Sequence, residues 1–455
     1  MLLARARRRA IAGLSTPESI WIAAVILAPF DAVFPLPLTV LGVQLSPPRI
    51  AILAASVASL LAAAWTGRLR LRIRNVFFGL FFAWLSWNLL SGLWAVSETD
   101  YWRYTGLLIM NGLLFLCTLH IATSARKFRL ILGCVLLSVL VTVLFGIAEV
   151  VVGFRVPASR QWAFLNEVTS VFVNPSHFGG ALALFAPVVL LYPIWSPRRS
   201  AKAVLGATIL FVFTAYFVVR SGARGAVLAL IFGCVTSLVL SSVSRHSLRR
   251  MTVVGAALGT IVLVAVSLQL VPRVPEVLSD KIATLRDPAA LIAGEYRLVL
   301  WSVGWQLWTE SPLVGWGAGA SERLLYERAP WLTAYSLHAW NLETLVNTGV
   351  VGAALWGLLV IALVLGLLGR FTRRGDHHTR FAASSLLGGL AASVMISLTV
   401  GSLMTFPLFW VHMGLCASFA SLPRTAEDEL VGRGRRSSSS LACVEALGRA
   451  RTRPT

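Results

Sequence analysis

A chain of 455 residues that is 57% hydrophobic and only 13% charged is not an ordinary soluble protein. Its formal charge of +21 would suit a nucleic-acid binder, yet the basic residues gather in alternate short connections between apolar runs. They therefore fix membrane topology, and no nucleic-acid partner follows from them. Cys117, Cys134, Cys234 and Cys416 lie inside apolar runs and Cys443 in a polar tail, so no disulfide framework is implied.

In chain order, a basic segment over residues 1–18 leads into apolar runs at about 19–40, 50–66, 75–94, 105–122, 128–152, 171–195, 203–219, 225–243 and 251–271. A polar stretch over 272–340 follows, then runs at about 342–369, 381–400 and 404–422, and a tail over 423–455. Each run is long enough to cross a hydrocarbon core of ~30 Å. The pattern predicts an all-α polytopic membrane protein with twelve spans: nine within 19–271 and three within 341–422. The first run lacks a small-residue cleavage site and is expected to be a retained span. Arg68 to Arg74, Arg126 to Arg129, Arg198 to Lys202, Arg245 to Arg250 and Arg370 to Arg380 then share one side with both termini. That side is expected to be cytoplasmic, with 272–340 as a large periplasmic loop, and the tail, carrying Ser437 to Ser440, is expected to be disordered. Abundant arginine and scarce cysteine suit a bacterial inner membrane.

Within the large loop, a helix is predicted from about Glu295 to Thr309, closed by Pro312. Arg297, Trp301, Trp305 and Trp308 share one face of it, the tryptophans at headgroup depth. Gly315, Gly317 and Gly319 follow as a turn. Several residues stand apart from the topology-setting arginines. Arg220 and Arg224 occupy a very short connection on the charge-poor side, where guanidinium groups suit a phosphate. His338, among Trp340 and Asn341 at the mouth of a span, could take a proton from a sugar hydroxyl. Asn174 and His177 open the run at 171–195, with Asn–Pro as a helix-start signal. Glu98 and Asp100 are read as solvated loop charges, and no metal site is expected.

The pieces FVNPSHFGGAL, SGARGAVLAL, YRLVLWSVGWQLWTESPLVGWGAG and HAWNLETLVNTGVVG, in that order, resemble the O-antigen ligase and polymerase superfamily. The resemblance implies a GT-C-like membrane fold and metal-independent, cofactor-free transfer of a glycan from an undecaprenyl-diphosphate carrier, with inversion. It implies Arg224, Arg297 and His338 as the catalytic set. Arg220, Asn174, His177, Asn341, Trp301 and Trp340 stand as substrate-binding residues. Ala223 stands where the family often has serine, which leaves Arg220 as an alternative to Arg224. Ala339 replaces a frequent asparagine, with Asn341 as a substitute. The acceptor could be a lipid-linked repeat unit, a lipid A core or a protein. A flippase or exporter is the competing class; Asp31 and Glu149 lie toward span ends, which disfavours it.

Overall fold

The computed structural model describes residues 15–30, 36, 39–40, 43–67, 75–156, 167–172, 174–195, 200–241, 297–331, 336–372, 377–399 and 403–422. The described helices are α1 (Thr16–Ile26), α2 (Pro47–Trp65), α3 (Val76–Leu90), α4 (Glu98–Ile121), α5 (Ala125–Val152), α6 (Pro175–Trp195), α7 (Ala201–Arg220), α8 (Arg224–Ser241), α9 (Arg297–Glu310), α10 (Ala320–Arg328), α11 (Trp340–Thr372), α12 (His377–Thr399) and α13 (Pro407–Ser421). A two-stranded antiparallel ribbon, β1 (Thr39–Val40) and β2 (Val43–Gln44), completes them. Among the described residues, nine helices are long and apolar enough to cross a membrane.

The expected spans are matched closely from α2 to α8 and by α12. Among its described residues the run at 19–40 is α-helical over α1, 11 residues, where a 3₁₀ turn at Ala28–Phe30 follows and Pro29 can donate no backbone hydrogen bond to continue the helix. The run at 404–422 gives a 15-residue helix, since a 3₁₀ turn at Leu403–Thr405 precedes Pro407, which sits at the helix start. The expected span at 251–271, the loop up to residue 296, Asp31 and the tail lie outside the described residues. Glu98 and Asp100 are not loop charges. Ser97 caps α4, so both occupy its first turn, where carboxylates are favoured, and Asp100 pairs with Arg103 at 3.4 Å.

The core is aromatic. Phe81 stacks on Phe115 at 4.5 Å, and Trp84 meets Trp356 at 4.9 Å and Trp410 at 5.8 Å, which joins α3, α4, α11 and α13. α12 packs on α8 through small residues: a Cβ at Gly233 would stand 2.8 Å from the Gly388 carbonyl oxygen. Such close approach gives helices in lipid the contact that water cannot drive. At one end of the bundle Lys127 pairs with Glu18 at 3.0 Å, and Arg370 donates from Nε to the Ala420 carbonyl at 3.1 Å, capping α13.

At the other end α9, α10 and the start of α11 form a unit with its own core of Leu300, Leu307, Leu324, Leu325, Leu337 and Val346. α11 is broken at Gly349, whose φ is 64° and ψ −170°. The predicted glycine turn fills the break. Val350 N–H donates to Pro312 O at 2.8 Å and Val351 N–H to Leu313 O at 3.3 Å, while Trp316 N–H and Gly317 N–H donate to Val346 O and Asn347 O, both at 2.9 Å. The span therefore begins at Val350, and Trp340 to Thr348 is a separate short helix that packs on both sides, Val346 in the loop core and Trp340 in the bundle core. Gly349 admits no side chain, because a Cβ there would stand 2.2 Å from Leu313 O. Gly349→Ala should lose ~2–5 kcal/mol, from the left-handed backbone and the clash together. Thermal unfolding in detergent reads this, with Gly206→Ala near neutral because nothing lies within 4 Å of its Cβ position.

Candidate functional site

The same end of the bundle carries the residues singled out in the sequence. α7 ends at Arg220 and α8 starts at Arg224, with Gly222 at φ 66° making the turn between them. Against this hairpin lies residues 167–172: Val168 N–H donates to Arg220 O at 3.2 Å, and a Cβ at Gly222 would stand 2.2 Å from Glu167 Oε1. The segment is held from below by Glu149, which is 5% exposed. Its Oε2 accepts from Thr169 N–H at 3.0 Å and Ser170 N–H at 2.6 Å, and Arg155 Nε lies 3.3 Å from Oε1. Glu149 is thus a clamp on the hairpin. The sequence marked it only as a charge near a span end.

Arg220 is 9% exposed, and its Nε and Nη1 find no hydrogen-bond partner among the described residues. Tyr216, one turn earlier, lies within electrostatic and hydrogen-bond reach of the guanidinium. A buried cation with open donors is a costly arrangement that an anion would relieve. Arg224 is half-buried at the start of α8.

α6 joins the hairpin to the rest of the site. A Cβ at Gly179 would stand 2.4 Å from Ser221 Oγ, and one at Gly180 would stand 3.3 Å from Phe406. Asn174 caps α6, its Oδ1 accepting from Ser176 N–H at 2.7 Å, so the helix-start reading accounts for its side-chain oxygen. The His177 ring lies 4.8 Å from the Phe406 ring. The Phe406 turn leads across α12 to α11, where Asn341 Nδ2 donates to Ser397 Oγ at 3.2 Å.

His338 sits just before α11 with φ 50°, and its N–H donates to Ser336 Oγ at 3.2 Å. Histidine is among the residues that tolerate this left-handed turn, and such outliers cluster at functional positions. Buried Leu337 and Ala339 flank the half-buried ring. α9 crosses the same segment: a Cβ at Gly304 would stand 2.7 Å from Leu342 and 3.0 Å from Leu337. Arg297 and His338 are therefore carried by elements in direct contact. Trp301 is half-buried against the loop core, with an indole N–H that has no partner among the described residues. Trp340 departs from expectation. It is fully buried, 6.0 Å from Trp356 in the aromatic core, and presents no surface to a substrate.

A second polar group went unread in the sequence. Glu343 is buried in the first half of α11, close enough to Tyr104 of α4 to act on it electrostatically, and Asn347 hydrogen-bonds Tyr104. Asn347 Oδ1 also accepts from Ser321 N–H at 2.8 Å. The spacing of Glu343 and Asn347, one turn apart in WNLETLVN, puts both on one face and was the available signal. Among the described residues, no three His, Cys, Asp or Glu side chains gather as a metal site.

The hairpin, α9, His338 and the broken half of α11 all fall in one stretch of chain that can be compared with known families. The O-antigen ligase family model matches residues 209–357. Over that stretch the chain is similar to the O-antigen ligase family. No curated protein matches it. Arg220, Arg224, Arg297, Trp301, His338 and Asn341 lie within the matched stretch, whereas Asn174, His177 and Glu149 lie before it. The family is one of membrane enzymes that handle lipid-linked glycans by ligase-type transfer, which agrees with the nine long apolar helices among the described residues.

Glu149→Ala removes the acceptor of two backbone N–H groups and the partner of Arg155. Leaving these buried groups unsatisfied should cost about 2–4 kcal/mol locally. Amide exchange at Val168, Thr169 and Ser170 should accelerate at least ~10-fold. Unchanged protection there would show that the segment is held by other contacts.

Proposed function

We propose that the chain transfers a glycan from an undecaprenyl-diphosphate-linked donor to a hydroxyl of a second glycan, with inversion and without a metal ion. The site would face the periplasm across a bacterial inner membrane, with α9 and α10 on that side. One observation carries the reading: the buried Arg220 guanidinium, with two donor atoms that find no partner among the described residues, beside Arg224 in the same hairpin.

A guanidinium presents a planar fork that matches two phosphate oxygens and stays charged at physiological pH. In this reading Arg220 and Arg224 hold the donor diphosphate, and Arg297 reaches it from α9. His338 accepts the proton of the acceptor hydroxyl. The oxygen then forms its bond to the anomeric carbon from the face opposite the diphosphate. The carbon–oxygen bond to phosphate breaks, and the electron pair leaves on the diphosphate, where fixed positive charge stabilises it. The arginines thereby take the part a divalent cation plays elsewhere. Ligase and polymerase share this chemistry and differ in the acceptor.

The broken helix at Gly349 is a feature that transporters share. Here the break is closed by the protein's own carbonyls at Pro312 and Leu313, so it offers no open backbone groups to a cargo. That favours the enzyme.

Two outcomes test the reading. Arg220→Met removes a buried cation with open donors, so the apo protein should melt no lower than wild type, while transfer falls at least ~100-fold. The thermal upshift given by undecaprenyl diphosphate should disappear with it. A retained upshift would take the diphosphate away from Arg220. Separately, transfer by purified protein from an undecaprenyl-diphosphate oligosaccharide should survive excess chelator. Loss on chelation with recovery on adding magnesium would overturn the arginine mechanism.

A further inference from the structure

Residues 167–172 are held more firmly than a link between two helices requires. Buried Glu149 takes the Thr169 and Ser170 N–H groups on Oε2 and faces Arg155 across 3.3 Å. Ser170 has φ 51°, and among the described residues it and His338 are the two non-glycine residues with positive φ. A residue stays in that region only where its surroundings fix it, and such positions cluster at functional sites. Ser170 Oγ donates to Thr142 O at 2.7 Å, a further tether, and Val168 N–H joins the segment to Arg220 O.

These contacts deliver Glu167 to the hairpin. A Cβ on Gly222 would overlap Glu167 Oε1, Cδ and Cγ. Gly222 stands between Arg220 and Arg224, so a carboxylate lies against the turn that joins the two arginines. Glu167 is half-buried, as Arg224 is. The start of α8 favours negative charge through the helix dipole, yet an exposed acid would supply that with no strained and clamped segment behind it. For a diphosphate site, a carboxylate at this place opposes binding.

The chemistry of transfer gives that opposition a use. In the donor each phosphate is esterified, one by the polyprenol and one by the sugar, and each keeps a single ionisable oxygen. When the sugar leaves, the terminal phosphate gains a second, with a pKa of about 6, so the product carries roughly one more negative charge at neutral pH. Arginines alone would hold this product more tightly than the donor, and slow release would limit turnover. An acid beside them acts most strongly against the extra charge.

We infer that Glu167 is a specificity-determining residue of the arginine site: its carboxylate faces the terminal phosphate, so that the spent carrier diphosphate is held less tightly than the arginines alone would hold it. The inference rests on the reading of the hairpin as the diphosphate site.

Three carrier lipids separate charge from sugar. They are undecaprenyl diphosphate, the same diphosphate with a methyl ester on its terminal phosphate, and the glycan-bearing donor. The methyl ester has the donor's charge and no sugar. Each is titrated against the full-length protein in detergent. Glu167→Gln keeps the side chain's size and removes its charge. It should bind undecaprenyl diphosphate ~10-fold more tightly than wild type, and the methyl ester and the donor no more than ~3-fold more tightly. As a product inhibitor of transfer, undecaprenyl diphosphate should show a Ki lowered by the same ~10-fold. Glu167→Asp keeps the charge and should keep the wild-type ratio of product to donor affinity. Weakened binding of all three lipids in Glu167→Gln would make Glu167 a support of α8, and weakened binding of the donor alone would make it a sugar contact. Either result, or unchanged affinities, overturns the inference. Undecaprenyl diphosphate that bound wild type and Arg220→Met equally would instead overturn the arginine reading, whatever Glu167→Gln did.

Discussion

Inside a bilayer every backbone N–H and C=O must find a partner within the protein, and this chain meets that demand at the broken helix α11 with a loop from elsewhere. Gly349 interrupts α11, and the freed groups of Val346, Asn347, Val350 and Val351 pair with Pro312, Leu313, Trp316 and Gly317. Much of the rest depends on this exchange. It fastens the α9–α10 unit onto the bundle, fixes the start of the span after it, and orients the short helix Trp340–Thr348 that His338 precedes. Without the break, the residues after His338 would continue straight along the bundle axis, and α9 would have no fixed neighbour. The reciprocity is tight: Gly315 admits no Cβ because the Asn347 carbonyl lies in its place, and Gly317 none because Ala95 does. Each side of the contact requires glycine from the other.

Two buried ions at this end are tied together through the backbone. Glu149 Oε2 accepts from two backbone N–H groups and Arg155 Nε lies 3.3 Å from Oε1, which fixes residues 167–172 under the hairpin. Arg220 has two nitrogens without a hydrogen-bond partner among the described residues, and a buried polar group in that state calls for an explanation. The two are linked, since Val168, adjacent to the clamped Thr169, donates to the Arg220 carbonyl. The acid fixes the backbone that carries the base.

Much of the fold was legible because lipid leaves few choices. Apolar runs long enough to span must be helices, and α2 to α8 and α12 follow the runs to within a few residues. Serine and asparagine caps mark several starts, as at Ser46, Asn75, Ser97, Ser124 and Ser200. What was illegible is what composition cannot encode. NTGVVG reads as an ordinary stretch of an apolar run, because nothing local separates a glycine in a helix from one at φ 64°; the reason for the break lies far away in Pro312 to Gly317. Trp340 stood as a substrate-binding residue beside His338, yet it is buried against Trp356. Arginines in a short hairpin were visible as a pair. Which of them is enclosed with open donors depends on Glu149 and residues 167–172, from a distant part of the chain.

α12 ties the parts of this end together by packing alone. Small residues on one face, Gly388 and Ala392, let it press against Gly233 of α8, the helix that starts at Arg224, while Ser397 accepts from Asn341 at the start of α11. A helix wedged this closely on one side cannot shift without opening a void there, so it holds α8 and the start of α11 in a fixed relation. Ile396 also reaches the place where Gly180 of α6 meets Phe406, which brings α6 into the same packing. The arginine hairpin and the segment of His338 are thus held apart by a rigid helix, and their relative position is set by glycines and alanines far from either.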